Sequence, residues 1–203
     1  MQELNAAIEQ DWLVIAVAVI IAVAVTMVAP VALRRYRRDA EQRRVAKIIK
    51  ALNIPSLKNV AFPDSMDGYV FVDYLLLTPA GIVVLDLQDY NGFIFGGPNI
   101  DQWTQMVRQR GYKFENPLHQ NAWRLQIVRA LVKDAPLLGK VVFSSVSQFP
   151  KGIPEGVSHV STLSEDLTQL LENKETPELV RKAWDELSTQ AIDARSPDWK
   201  KIR

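Results

Sequence analysis

The sequence contains no cysteine and only two histidines, His119 and His159. Without cysteine there is no disulfide framework, no thiolate nucleophile and no cysteine-based zinc site. Two histidines are too few for a histidine-rich metal site, and they leave little room for a conventional catalytic triad. Carboxylates are therefore the groups on which any chemistry in this chain is expected to depend.

Charged residues are absent from positions 12–33, where only Thr26 and Pro30 interrupt a run of apolar side chains. As a helix this run measures about 33 Å, which is enough to cross the hydrocarbon core of a bilayer. A buried core helix of this length would carry a polar stripe, and a cleaved signal peptide would have a basic start and a small-residue cleavage site. The sequence therefore predicts a transmembrane helix over 12–33.

Basic residues are also absent before this run, whereas four arginines follow it within positions 34–38. By the positive-inside rule, this asymmetry predicts a single-pass protein of a bacterial inner membrane with its C-terminal domain in the cytoplasm. Residues 34–50 carry eight basic and two acidic side chains, and residues 51–203 carry sixteen basic and eighteen acidic ones. The basic block is expected to contact anionic membrane lipid. The rest of the domain lacks the basic field that drives electrostatic DNA binding.

The residues after the basic segment predict one α/β domain. Val45, Ile48, Ile49 and Leu52 have the spacing of an amphipathic helix. Two apolar runs follow at 69–77 and 82–88, joined by a Thr-Pro-Ala-Gly turn that favours an antiparallel hairpin. The predicted divisions are a short extracytoplasmic N-terminus (1–11), the transmembrane helix (12–33), a basic juxtamembrane segment (34–38), the α/β domain (39–190) and a polar tail (191–203).

The second half of the domain is predicted to alternate helices and strands. Asn116 followed by Pro117 indicates a helix start, and the pattern favours a helix up to position 133. A strand is predicted over 141–147. Thr162 with Glu165 has the spacing of a capping box that opens a helix, and a last helix is expected from about 176 to 189.

Each strand of the predicted hairpin contains an aspartate. If Leu77 pairs with Ile82, Asp73 stands opposite Asp86 on one face, and alternation places Gln88 on that face too. Like charges so placed are destabilising unless a cation intervenes or one carboxyl is protonated. Mg²⁺ or Mn²⁺ would meet this need and could activate water for attack on a phosphodiester. The alternatives are an aspartate at a solvated strand end, or a bulge that breaks the register.

A series of motifs occurs in a fixed order along the chain: the run from Asp73 through Gly81 to Asp86, then Gly92, Trp103 and the Asn116-Pro117-Leu118-His119-Gln120 motif. Together these motifs resemble the nuclease-related domain family, NERD, over about residues 40–132. The resemblance implies a fold similar to that of restriction endonucleases, in which helices flank a mixed central sheet, and it implies the metal site of the PD-(D/E)XK signature.

The resemblance also implies roles for individual residues. Members of the family use a helix glutamate, a first-strand aspartate and an acid-x-Lys motif on the second strand. By this likeness Glu41, Asp73 and Asp86 are metal ligands, and Gln88 and Gln120 position water or phosphate. On its own, Glu41 is equally explained as a first-turn residue that complements the helix dipole.

Gln88 departs from the family pattern, because it stands where the lysine is expected. An amide can form hydrogen bonds but carries no charge with which to stabilise developing negative charge. Two hypotheses follow. One is a membrane-anchored nuclease-related protein that binds DNA or another nucleic acid and hydrolyses phosphodiesters with a metal ion. The other is a catalytically degenerate scaffold or binding module at the membrane.

Three tryptophans and one histidine have simpler explanations than catalysis. Trp103, Trp123 and Trp184 are expected in the core, although an aromatic side chain near a cleft can stack on a base. His119 lies in the first turn of its helix and is expected to face solvent.

The predicted orientation can be tested with a reporter that is active only outside the cytoplasm. Fused to the C-terminus, it should be inactive, and moving the four arginines of 34–38 to the N-terminus should invert the protein and activate the reporter. Activity on the unaltered chain would show that the predicted orientation is wrong.

Overall fold

The computed structural model describes residues 26, 28–29, 31–33, 35–64, 68–132, 134–172 and 175–194. The chain divides into two compact units, Met1–Ala40 and Glu41–Arg203, and the described residues of the first unit are helical. The predicted membrane helix lies outside the described residues except at six of its positions. Among the helices that the structure describes, none combines the length and apolar character needed to cross a bilayer.

The second unit begins with helical residues 41–51, labelled α1. Its remaining elements are labelled in chain order. They are β1 Ser56–Pro63, β2 Tyr69–Thr78, β3 Gly81–Gln88, β4 Gly92–Phe95, β5 Gln102–Val107, β6 Arg110–Glu115, α2 Pro117–Leu131, β7 Leu137–Phe143, β8 Ser147–Gln148, β9 Val157–His159, α3 Leu163–Gln169, α4 Glu178–Gln190 and β10 Ile192–Asp193.

The larger sheet has the strand order β10-β1-β2-β3-β7-β9 and is mixed. β1, β2 and β3 are antiparallel neighbours, whereas β7 runs parallel to β3 and β9. One face packs on α1 and α3 through Val45 and Leu163, and the other packs on α2 and α4 through Val128 and Val180. The first six residues of β3 are buried, as expected for a central strand covered on both faces. The predicted α/β class is confirmed, and the architecture fits a restriction-endonuclease-like domain.

The predicted hairpin is confirmed, because β2 and β3 are antiparallel with Leu77 opposite Ile82. Other predicted boundaries are wrong. The strand expected at 141–147 is β7, which begins at Leu137 and ends at Phe143. The last residues of the domain were expected in the polar tail, yet β10 pairs with β1, so the sheet extends to Asp193.

The predicted capping box is also wrong, although a helix does begin there. The Thr162 side chain makes no capping hydrogen bond to α3. Its hydroxyl instead donates to the backbone carbonyl of His159 at 3.3 Å. The threonine therefore stabilises the turn between β9 and α3.

A smaller sheet has the order β6-β5-β4-β8, and its β5–β6 hairpin was not predicted. The two residues between the strands, Arg108 and Gln109, have φ of 47° and 66°. Two positive φ values suit a tight hairpin turn, but the usual Asn-Gly or Gly signature is missing. The sheet is anchored by Trp103, which is fully buried and stacks on Phe143 of β7 at 5.9 Å between ring centroids. The core prediction for Trp103 is confirmed, and Trp184 is partly buried against the core.

Gly139 allows α2 to approach β7 closely. A Cβ atom at this position would lie 2.2 Å from Asn121 Oδ1 and 2.7 Å from Leu125 Cδ1. Real Cβ atoms do not come so near to other heavy atoms, so with any larger residue the Asn121 and Leu125 side chains would have to shift. Asn121 is therefore positioned by the absence of a side chain on the neighbouring strand.

We expect Gly139→Ala to lower the free energy of unfolding by about 1–3 kcal/mol, because the added methyl group overpacks the helix–sheet contact. Gly111→Ala is the matched control, since its Cβ would lie 3.6 Å from Thr104 Cγ2, an ordinary contact. Chemical unfolding of both variants measures the effect. Equal unfolding midpoints would contradict the proposed role of Gly139.

Candidate functional site

The two aspartates lie where the hydrogen bonding between β2 and β3 changes. The backbone ladder continues as far as Tyr74 and Leu85. One residue beyond, Asp73 Oδ2 accepts a hydrogen bond from the backbone N–H of Leu87 at 2.8 Å. The ladder ends there although both strands continue, because the carboxylate takes the place of a backbone carbonyl. Val72 and Leu75 lie in the same core cluster, so the alternation of side chains is interrupted at Asp73 and does not by itself place this residue on the face of Asp86. The hydrogen bond to Leu87, the residue after Asp86, nevertheless brings the two carboxylates near each other.

The Asp86 carboxylate is 2% exposed and is surrounded by groups from α2. Its Oδ2 accepts hydrogen bonds from Asn121 Nδ2 at 2.8 Å and from Arg124 Nη1 at 3.2 Å. Asn121 Nδ2 also donates to the Val84 carbonyl at 3.1 Å, and Arg124 Nε donates to the Phe71 carbonyl at 2.8 Å. Asn121 thus binds two groups of β3, and Arg124 binds one group of β3 and one of β2.

Burial has a strong effect on the charge of this carboxyl. Loss of hydration raises the pKa of Asp86 from 3.8 to about 6, against the lowering effects of Arg124 and of the hydrogen bond from Asn121. The negative charge of Asp73 raises the pKa further, although it contributes less than burial does. The charge of Asp73 therefore acts on the Asp86 carboxyl.

Glu41 does not join this pair. Its Oε1 accepts hydrogen bonds from Ser145 Oγ at 2.8 Å and from Arg44 Nη1 at 3.0 Å. The helix that carries it packs on the sheet face of Leu85, whereas Asp86 faces α2. Glu41 therefore connects α1 to the loop after β7, and among the described residues it does not form a metal-binding group with the two aspartates.

The two glutamines occupy different places. Gln88 is half-buried, two residues after Asp86 on β3, and its backbone carbonyl accepts a hydrogen bond from the Ser144 N–H at 3.0 Å. Gln120 lies on the first turn of α2, where its Nε2 donates to Glu115 Oε2 at 2.8 Å. Gln88 thus shares a strand with Asp86, and Gln120 faces a neighbouring cleft.

This cleft, called here the Trp123 cleft, has a volume of about 540 Å³. Asp101 and Glu115 line it from outside the helix. Trp123 is 48% exposed, so its predicted place in the core is wrong. Position 123 is about 200° around the helix from the buried Asn121, which turns the indole away from the sheet. The residues of α2 and its cap that line the cleft are Asn116, His119, Gln120, Trp123 and Arg124.

The sequence interpretation missed Asn121 and Arg124, although one signal was present. Position 121 precedes Leu125 and Val128 at the i, i+4, i+7 spacing of the helix face that packs on the sheet. Asn121 is 3% exposed, and a buried amide needs hydrogen-bond partners. A polar residue on an apolar helical stripe was therefore evidence for a buried polar group opposite it, and Asp86 is that group.

The model of the nuclease-related domain family matches residues 37–146, which is more than half of the chain. The chain belongs to the nuclease-related domain family. The match begins before α1 and ends before β8, so it includes Asp73 and Asp86, their partners on α2, and the Trp123 cleft. The suspected resemblance is thereby confirmed.

The curated proteins include a relative in Bacillus anthracis, the uncharacterized protein pXO1-01. It is 24% identical over 102 residues, which is 49% of this chain and 48% of the relative. The chain therefore spans about half the length of the curated relative that it matches. No solved structure matches the chain.

The carboxylate pair of this nuclease-related domain fits a metal ion only together with other ligands. Among the described residues, no group of three or more acidic or histidine side chains could hold a metal ion. Asp73 Oδ2 and Asp86 Oδ2 are already hydrogen bonded. Mg²⁺ is commonly held by one or two carboxylates while water and substrate phosphate supply the remaining oxygens. The pair therefore fits an ion that arrives with a phosphate.

We expect the raised pKa of Asp86 to make stability depend on pH. The folded chain holds the proton more tightly than the unfolded chain, so the stability that the proton contributes is present below about pH 4 and is lost as pH rises through about 6. Relative to Asp86→Asn, the protein should lose on the order of 3 kcal/mol of unfolding free energy across that window. Urea unfolding of both proteins as a function of pH measures this difference. A difference independent of pH would contradict the raised pKa.

Proposed function

We propose that this protein is a membrane-anchored nuclease-related protein that binds nucleic acid and hydrolyses phosphodiester bonds with Mg²⁺ or Mn²⁺. The observation that supports the proposal is the proximity of Asp73 and Asp86 where the β2–β3 ladder ends, because Asp73 accepts a hydrogen bond from the backbone N–H of Leu87, the residue after Asp86. The family membership supports the same chemistry. The anchoring part of the proposal rests on the apolar run at 12–33 and on the arginines after it.

The charges of the site favour an ion that binds together with nucleic acid. Two carboxylates and the Arg124 guanidinium sum to one negative charge, which would repel a phosphate. A divalent ion between the carboxylates reverses that sign, and when bound it supplies an activated water and neutralises charge on the phosphate. Asp73 and Asp86 would hold the ion in this proposal.

The other residues of the site have supporting roles. In the free protein Arg124 compensates the negative charge of Asp86 by an ion pair. When a metal ion binds the carboxylate, the guanidinium can instead bind a phosphate oxygen. Gln88 can orient a water molecule by hydrogen bonding but cannot add positive charge. The expected hydrolysis is therefore slower than in a domain with lysine at this position.

A second candidate function is a binding module without hydrolysis. The observation that favours it is the ion pair of Arg124 with Asp86 at 3.2 Å, because a guanidinium already compensates the charge that a metal ion would compensate. In that case the domain would bring nucleic acid to the membrane, and the basic segment 34–38 would contact anionic lipid.

Cleavage by the purified full chain separates the two functions. If it is a nuclease, the protein should nick plasmid DNA or cut an RNA transcript with Mg²⁺ or Mn²⁺ and not with EDTA. Asp73→Asn should reduce the rate by on the order of 100-fold, because it removes a charged ligand and keeps the shape of the side chain. Gln88→Lys should preserve or raise the rate, because it adds a cation beside the scissile phosphate.

The matched control is Asp185→Asn, an exposed aspartate on α4, which should leave the rate unchanged. Absence of cleavage in every variant, together with binding that EDTA does not affect, would favour the binding module. Metal-dependent cleavage that survives Asp73→Asn at full rate would show that the site is assigned wrongly.

A further inference from the structure

The Trp123 cleft adjoins the proposed metal site without containing it. Both share Arg124, which lines the cleft and also donates to Asp86 at 3.2 Å. A ligand in the cleft can therefore contact Arg124, the side chain that also binds Asp86. A volume of about 540 Å³ is within the range of small-molecule sites and accommodates a single nucleoside.

The apolar wall of the cleft is a tryptophan on a rigid helix. Trp123 is 48% exposed, whereas Trp103 is fully buried, so the indole of Trp123 is accessible to a ligand. Flat aromatic surfaces stack on nucleobases, and such stacking requires a base that is not already enclosed in a duplex.

The polar wall carries two carboxylates, Asp101 and Glu115, beside His119 and Arg124. Glu115 uses Oε2 to accept the hydrogen bond from Gln120, and Asp101 lies 3.9 Å from His119 Nδ1. Two carboxylates on the rim repel phosphate but accept hydrogen bonds from the amino groups of bases. Cytosine, adenine and guanine carry an exocyclic amino group, and thymine and uracil do not.

We propose that the Trp123 cleft binds one unpaired, amino-bearing nucleobase, so that the substrate of this domain is single-stranded nucleic acid. Trp123 stacks on the base, Glu115 accepts from its amino group, and Arg124 lies between the base and the phosphate bound at Asp73 and Asp86. This inference rests on the proposed binding of nucleic acid and adds the strandedness and base preference of the ligand.

Fluorescence anisotropy of labelled oligonucleotides on the full-length protein in detergent micelles tests the inference. The ligands are a dC oligomer, a dT oligomer and a mixed-sequence duplex, with Ca²⁺ replacing Mg²⁺. Trp123→Ala should weaken binding of the dC oligomer by about 5- to 150-fold and leave duplex binding unchanged. Trp123→Phe should retain most of the affinity, because a smaller ring still stacks. Glu115→Gln should reduce the preference for dC over dT.

The control is Phe93→Ala, an aromatic residue of similar exposure, 49%, that does not line the cleft. Equal losses in Phe93→Ala and Trp123→Ala would overturn the inference, and so would DNA binding that is insensitive to Trp123. In either case the proposed function would stand, because the protein would still bind nucleic acid. An oligoarginine peptide that binds at Trp123 in place of the oligonucleotides would also overturn the inference. Binding of no nucleic acid by any variant would overturn the proposed function as well.

Discussion

The arrangement of this domain depends on the burial of one carboxylate. Asp86 is in the middle of the molecule, on a strand covered on both faces, where an isolated charge would cost several kcal/mol. The cost is offset by Asn121 and Arg124, which approach from the same face of α2. Their reach requires the helix to lie close to the sheet, and Gly139 on β7 leaves space for the Asn121 side chain. The position of Asn121 beside Asp86 therefore depends on residues of β3, α2 and β7.

The two faces of α2 have different surroundings. The face with Asn121 and Val128 packs on the larger sheet, while the face with Gln120 and Trp123 borders an open cleft. Arg124 lies between the two faces and connects the buried carboxylate to the solvent-accessible side. The same side chain thus borders the cleft and binds Asp86.

Much of the larger sheet could be predicted from the sequence, because strands β2 and β3 and the register of their turn follow from apolar runs and turn residues. The aspartate pair was predicted by extending that register to Asp73 and Asp86, whereas the ladder follows it only as far as Tyr74 and Leu85. The β5–β6 hairpin could not be predicted, since its turn adopts positive φ at Arg108 and Gln109 without the usual residues. The place of Glu41 was also missed, because sequence spacing does not show which face of a sheet a helix covers. Trp123 was expected in the core because tryptophans usually are buried, and only its rotation relative to Asn121 explains its exposure.

The parallel pairing of β3 with β7 has a consequence for how the chain folds. The partners of Asp86 are 35 and 38 residues further along the chain, and three of the four strands of the smaller sheet lie in the intervening segment. Contacts between distant residues close large loops and form slowly. During synthesis, Asp86 emerges from the ribosome well before Asn121 and Arg124, so its carboxylate is exposed to water until α2 has been made. A truncated chain that ends before position 117 lacks both of these partners.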